Sequence, residues 1–293
     1  MKADLHFHGP IGFQPHWLKV QGYTGKDENV LRYIADNCFE RGIDICAITS
    51  EEQEIPRGSV HDRLGFMIKK WGRDTKAAGY DVDLLGKNVL VVTKKNFSAK
   101  TPVYLVNGQT VIVKEKGGRL DHLVVGSNSV PNGMNLIDTL LYCDYNGLTQ
   151  IAEHPFALSH FGMGERVLEN HLKYYDAVEG HNSQLCLPAF MSSFPVVGNY
   201  TRTQNEKAKQ FAISHKKPYV ATSDGHRVCD VGISYINTKD AIGTASESKF
   251  LSDLKAAVHS GRFTTHEGYE SLARWINWVA KFKIGTSLGL DKK

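Results

Sequence analysis

Histidines and carboxylates recur at the ends of apolar runs in this 293-residue chain. Near the start, ADLHFHGPIGFQPH carries His6, His8 and His16. In an extended segment His6 and His8, two residues apart, point to one side, so both imidazoles can reach one metal ion. LTQIAEHP ends in Glu153-His154-Pro155, and proline, which cannot extend a sheet ladder, leaves His154 at the strand tip. PYVATSDGH ends in Ser223-Asp224-Gly225-His226, and DAVEGHN carries Glu179 and His181, whose spacing predicts a common face. Taken singly, an HxH pair is as consistent with core or surface, and SDGH with a turn capped by Asp and Gly. Taken together, these elements are much less readily explained as coincidence than any one of them alone.

The elements that position these residues follow from periodicity. ADLHFH and IDICAITS read as strands, and NVLRYIADNCFERG between them places Val30, Tyr33, Ile34 and Cys38 at helical spacing before a glycine stop. After a helical stretch near 61–78, NVLVVT resumes the strands. VYLVNGQTVIVKE sets Asn107-Gly108 between two β-branched runs, which predicts an inserted hairpin. HLVVGS, LTQIAEHP, DAVEGHN and PYVATSDGH follow as strands, with helical segments near 134–145, 164–174 and 203–215. Without the hairpin, seven core strands are expected. Strand and helix alternation implies mainly parallel pairing, as in a barrel or a doubly wound sheet. The histidines sit at the C-terminal ends of the first, fifth, sixth and seventh strands, and this favours a barrel, whose strand ends ring one mouth. The chain is therefore read as one domain, an α/β barrel with a core over 3–260 and a helical extension over 261–293.

Composition fits that reading. Hydrophobic residues make up 41% and charged residues 23%, ordinary for a globular protein. A net charge of +4 suits a protein that meets phosphates; it leaves nucleic acid open as a partner without indicating it. The five cysteines form no CxxC pair, so neither a disulfide framework nor a zinc ribbon is expected. The start lacks the apolar run of a signal peptide, and no stretch approaches the roughly 20 apolar residues of a membrane span, so a cytoplasmic location is expected. In the last segment, Leu272, Trp275, Ile276, Val279 and Phe282 lie at helical spacing, predicting an amphipathic helix that packs on the barrel or on another subunit.

In their order and separations, HxH on the first strand, HP on the fifth and SDxH on the seventh resemble the PHP family, named for polymerase and histidinol phosphatase. The resemblance spans about residues 3–235. It implies a distorted seven-stranded (β/α)7 TIM-like barrel with up to three divalent ions (Zn, Mn or Fe) at its mouth, hydrolysing phosphate esters. Carried over by motif, His6, His8, His154, Asp224 and His226 match metal ligands. His16 is a looser match, and Glu179 matches a glutamate that ends the sixth strand in many members.

The departures are specific. Thr49-Ser50-Glu51 stands where the family has TDH, so Glu51 replaces a histidine, a swap that metal chemistry tolerates. The family's bridging glutamate at the end of the third strand meets only Lys94, Lys95 and Asn96. The histidine expected after HLVVG is replaced by Ser127 or Asn128, and His122 aligns with a position that is not usually a ligand. Lys94 and Lys95 either stand in for a metal's charge or are solvated. Candidate phosphate clamps are Arg227, Arg57 and Arg63, and Glu51 or His181 is expected to protonate the leaving oxygen. The expected substrate is a phosphorylated small molecule or nucleotide. Two other readings stay open: a degenerate barrel serving as a binding or assembly module, and an amidohydrolase-type C–N hydrolase. The latter fits less well because its usual last motif is a lone Asp on an eighth strand.

Overall fold

Strand β1 (Lys2–Phe7) is where the sheet turns back on itself. Its first half pairs antiparallel with β10 (Tyr235–Thr238), which in turn carries β11 (Phe263–His266). Its last residue, Phe7, bridges Gly225 in parallel just beyond β9 (Tyr219–Thr222). From β1 the sheet continues through β2 (Ile45–Ile48), β5 (Val103–Glu115), β6 (Gly118–Val125), β7 (Thr149–Ala152) and β8 (Ala177–Asn182) to β9. This computed structural model describes residues 1–9, 29–50, 63–95, 101–193 and 197–287; His16, Glu51 and Arg57 lie outside the described residues. The architecture is an α/β fold whose mixed sheet is nearly closed into a barrel.

Seven α-helices accompany the sheet among the described residues. α1 (Val30–Arg41) starts where the Asn29 side chain accepts a hydrogen bond from Arg32 N and stops at Gly42, whose φ of 64° needs a residue without Cβ strain. α1 and α2 (Arg63–Ala77) cover one outer face of the sheet through Leu31, Ile34, Leu64 and Met67. α3 (Leu136–Tyr145), α4 (Glu165–His171) and α5 (Arg202–Ser214) cover another, around Leu140, Leu168 and Phe211. Inside the barrel, Ala3, Leu5, Ile45, Ala47, Val106, Leu123, Ile151, Ala177 and Val220 share one core with Phe250 and Leu254 of α6 (Glu247–Ser260). α7 (Leu272–Ser287) follows β11 and leaves Leu272 and Ile276 exposed. No helix among the described residues is long and apolar enough to cross a membrane.

Two expectations are corrected. Asn107-Gly108 is not a turn: it lies inside the 13-residue β5, which pairs in parallel with β2 from Ile45–Tyr104 to Ile48–Asn107. The buried Asn107 amide donates to Lys87 O and Asn88 Oδ1, and a Cβ at Gly108 would stand 2.7 Å from both Thr49 Cγ2 and Val124 O. Glycine is there for close strand approach. The hairpins are β3 (Tyr80–Leu84) with β4 (Val89–Lys94), attached to the edge of β5, and β5 with β6.

The second correction follows from the first. β6 is antiparallel to both β5 and β7, whereas β1, β2 and β5 run parallel to one another, as do β7, β8 and β9. At the mouth, where the other strands end, β6 begins. Ser127 and Asn128 are therefore at the far end of this strand, and the residue that extends the Leu123–Ile151 register to the level of Glu153 is Asp121. NVLVVT, taken as the third core strand, is β4, off the path around the barrel.

Candidate metal centre

Backbone irregularities aim the polar side chains into the mouth. Ala3 and Leu5 of β1 face the inner core, but Phe7 packs with α1 and α2, because the register with β2 shifts between Asp4 and Phe7. The shift turns His6 and His8 inward. In β8 a second shift lies between Glu179 and His181. Two further site residues, His154 and Asp224, have positive φ (20° and 46°), a conformation costly for side chains other than glycine. Asp4 fastens this end of β1 to the β9 loop by accepting from Ser223 N at 3.1 Å and Gly232 N at 2.8 Å.

The side chains converge on a buried cluster. His6 Nε2 and His8 Nε2 are 3.0 Å apart, and Asp224 Oδ1 is 3.4 Å from the first and 3.2 Å from the second. The other His6 nitrogen, Nδ1, is 2.7 Å from Glu179 Oε1, to which Thr222 Oγ1 also donates. Glu179 Oε2 accepts from His154 N at 2.7 Å and from Asn182 Nδ2 at 3.2 Å, and the Asn182 amide also donates to Asp224 Oδ2 at 2.9 Å. Glu153 Oε1 is 3.3 Å from both His6 Nε2 and His154 Nε2 and accepts from Thr110 Oγ1 at 3.0 Å. His226 stacks on His8 at 4.5 Å while its Nδ1 donates to Asp224 O at 2.9 Å.

A cation fits this arrangement. Neighbouring ligand atoms on a tetrahedral ion with bonds of about 2.0–2.2 Å stand about 3.3–3.6 Å apart, close to the 3.0–3.4 Å edges of the His6, His8 and Asp224 triangle. Asp224 Oδ1, Glu153 Oε2 and His154 Nδ1 are buried without a hydrogen-bond partner, which is costly unless something else satisfies them. Two further groups have ligand atoms within 4.8 Å of one another: Asp121, Glu153 and His154, and His154, His160 and Asp224.

The carboxylates and imidazoles of the cluster shift one another's protonation. Burial opposes charge on His154, yet the hydrogen bond and field of Glu153, with Glu179 and Asp224, push it up to about 10. His6 is raised likewise, against burial, by Asp224, Glu179 and Glu153. Burial would raise Glu153, but His6 and His154 bring it down to about 2, and Asp224 and Glu179 are also depressed by the histidines. Asp121 moves the other way, up to about 7, through burial and the Glu153 charge.

The remaining candidates lie elsewhere. His181 does not share a face with Glu179: the shift in β8 turns its Nε2 to Gly268 O at 2.7 Å and its ring to Tyr269, and Asn182 takes the inward position. Arg227 is held by Asp230, at 2.6 Å, and by Glu270. Arg63 is buried and donates to the carbonyls of Ile48, Gly108 at 2.9 Å and Ser50 at 3.1 Å, locking β2 to β5. Lys94 and Lys95 pair with Asp36 and Asp81 on the β3–β4 side, so they are solvated surface cations.

Residues the sequence reading missed are Asp121, Asn182 and His160, and Glu153 had only been noted as His154's neighbour. Asp121 was legible in principle: the Gly117-Gly118 pair is a turn signal, and a hairpin there reverses β6 and brings its start to the mouth. Beside it, Arg119 Nε donates to Asp121 Oδ1 at 2.7 Å, and the guanidinium lies 4.2 Å from the centroid of the Phe161 ring.

A family model described as PHP-associated matches residues 202–258, which include α5, β9 and the SDGH motif. No curated protein matches the chain. Among solved structures, PsfC from Pseudomonas syringae is 14% identical with a TM-score of 0.50, the match covering 98% of each chain. A two-domain protein from Bacteroides vulgatus containing a predicted PHP-like metal-dependent phosphoesterase is 14% identical with a TM-score of 0.52, over 92% of this chain and 65% of that one. The lesion-specific endonuclease PfuEndoQ from Pyrococcus furiosus is 12% identical with a TM-score of 0.40, over 88% of this chain and 56% of that one. Over residues 202–258 the chain is similar to the PHP-associated family, and it shares its fold with PsfC and the Bacteroides vulgatus protein.

Proposed function

We propose that the chain is a metal-dependent phosphoesterase. The observation that carries this is the buried triangle of His6 Nε2, His8 Nε2 and Asp224 Oδ1 with edges of 3.0–3.4 Å. These three residues would hold one divalent ion, Zn, Mn or Fe. Asp121, Glu153 and His154 would hold a second, so carboxylates from β6 and β7 take the part for which the third strand offers none. Glu51, His16 and His226 remain proposed ligands of the same mouth, and seven strands, β1, β2 and β5–β9, are proposed as the barrel. A bound divalent ion supplies Lewis acidity and a nucleophilic water near neutral pH.

The chain's own groups prepare that chemistry. Glu179 accepts from His6 Nδ1 and so leaves Nε2 for the ion, an orienting role typical of carboxylates behind metal-bound histidines. Asn182 keeps Glu179 and Asp224 at fixed spacing, and Thr110 orients Glu153. Arg119, paired with Asp121, adds positive charge beside the phosphate, a role expected of Arg227, which is tied to Asp230 and Glu270.

The test is metal analysis of protein purified without chelator, followed by turnover of aryl phosphate mono- and diesters after Mn or Zn loading. Metal at one to three ions per chain with ester hydrolysis supports the reading; absence of both overturns it. Metal without ester turnover would favour a degenerate binding module, and cleavage of amides or lactones instead would favour a C–N hydrolase.

A further inference from the structure

Aromatic contacts lead from the C-terminal helix into the mouth. Trp275 on α7 packs against Tyr200, with ring centroids 5.6 Å apart, and the Tyr200 hydroxyl is 3.2 Å from His160 Nδ1. His160 stands on the loop after Glu153-His154-Pro155. Its ring is 5.2 Å from that of His154, and one of its nitrogens is within 4.8 Å of the ligand atoms of His154 and Asp224. The loop is tightly built: Gly162 N donates to Ala157 O at 3.1 Å, and a Cβ at Gly162 would come 2.5 Å from His154 O. Unlike the buried His6, Glu153 and Glu179, both His160 and Tyr200 are only half-buried, so this corner is open to a ligand arriving from solvent.

We propose that His160 is a substrate-binding residue that donates a hydrogen bond from Nε2 to an oxygen of the phosphate ester. The proposal rests on the phosphoesterase reading. When the Tyr200 phenol donates to Nδ1, the proton of the neutral ring sits on Nε2. When the ring is protonated, Nε2 carries a proton as well, so the donor is present in both states. Among the described residues Nε2 makes no hydrogen bond, and it is the nitrogen left for a ligand. A donor fixed in this way, by a hydroxyl and an aromatic neighbour, is pre-organised before substrate arrives. The chain of contacts also gives α7 a part in the site: Trp275 backs Tyr200, and Tyr200 sets the ring of His160. Acting as a metal ligand would require the opposite tautomer, with Nδ1 donating to the phenol oxygen and Nε2 accepting.

The two roles separate experimentally. His160→Ala, His160→Gln and Tyr200→Phe are compared with the unaltered protein, all metal-loaded, for metal content, orthophosphate affinity by calorimetry, and kcat and KM on an aryl phosphate. Substrate binding predicts unchanged metal content and orthophosphate affinity weakened about 10- to 100-fold in His160→Ala, the range for one hydrogen bond to a charged group. His160→Gln, which keeps an amide donor, should recover part of that loss, and Tyr200→Phe should fall between. Should His160→Ala fail to fold, the other two variants carry the same comparison. One ion fewer per chain in the His160 variants, or unchanged orthophosphate affinity, overturns the proposal. If the unaltered protein turns over esters while the variants bind orthophosphate normally, only the role of His160 falls. If the unaltered protein neither binds orthophosphate nor cleaves ester, the phosphoesterase reading falls and takes this role with it.

Discussion

Glu179 Oε1 lies 2.7 Å from His6 Nδ1, and both side chains are fully buried. The pair fixes which nitrogen of His6 faces His8 and Asp224. Glu179→Gln keeps the volume but replaces an ionised acceptor with an amide, so metal affinity should fall about 10- to 100-fold with little loss of fold. Competition against a chromophoric chelator measures it, and unchanged affinity would remove Glu179 from the metal centre.

His8→Ala should abolish metal binding and ester hydrolysis while leaving the circular dichroism spectrum intact. The imidazole packs on His226 at the mouth and takes no part in the inner core of Leu5, Ala47 and Val106. Full metal content in the variant would sink the proposed triangle.

Metal binding should release protons at about neutral pH, because a coordinating histidine must be unprotonated. In the metal-free chain His154 holds its proton up to about 10. Raised above its ordinary 6.5, His154 contributes stability that is fully present below 6.5 and is lost as pH rises through about 10. Glu153, depressed from 4.5, contributes stability present above 4.5 and lost as pH falls through about 2. An ion held by Asp121, Glu153 and His154 would therefore bind more tightly as pH rises towards 10. Calorimetric titration with Mn in two buffers of different ionisation enthalpy should show proton release; identical heats would exclude His154 as a ligand.

Gly108→Ala should destabilise the fold by about 1–3 kcal/mol, the usual cost of forcing an added methyl into a packed interior. Its Cβ would stand 2.7 Å from Thr49 Cγ2 and from Val124 O, one of which is backbone. Urea unfolding gives the value, and an unchanged midpoint would mean that β2 and β6 can separate locally at no cost.

The strand-end motifs were legible because imidazoles, carboxylates and proline mark those positions by residue type. Helices α1, α3 and α5 were legible from apolar spacing, with Asn29 and Gly42 bounding α1. What periodicity could not show is a change of period. The alternation that pairs Glu179 with His181 assumes an unbroken β8, and the register shift gives the inward place to Asn182. Asn107-Gly108 has the composition of a turn, but Gly108 is required by the closeness of Thr49 and Val124, residues far away in sequence. That misreading hid the reversal of β6, and with it Asp121.

The two register shifts also decide how the protein tolerates changes in length. Between Asp4 and Phe7, β1 uses one residue more than β2 does between Cys46 and Ile48. Losing that residue would restore plain alternation yet leave Phe7 opposite Ile48 and His8 facing the mouth. Pairing β1 with β2 at full length and without the shift would instead send His8 to the greasy layer beneath α1 and α2 and Phe7 to the polar mouth, so the extra residue is what keeps the chemistry from being turned inside out.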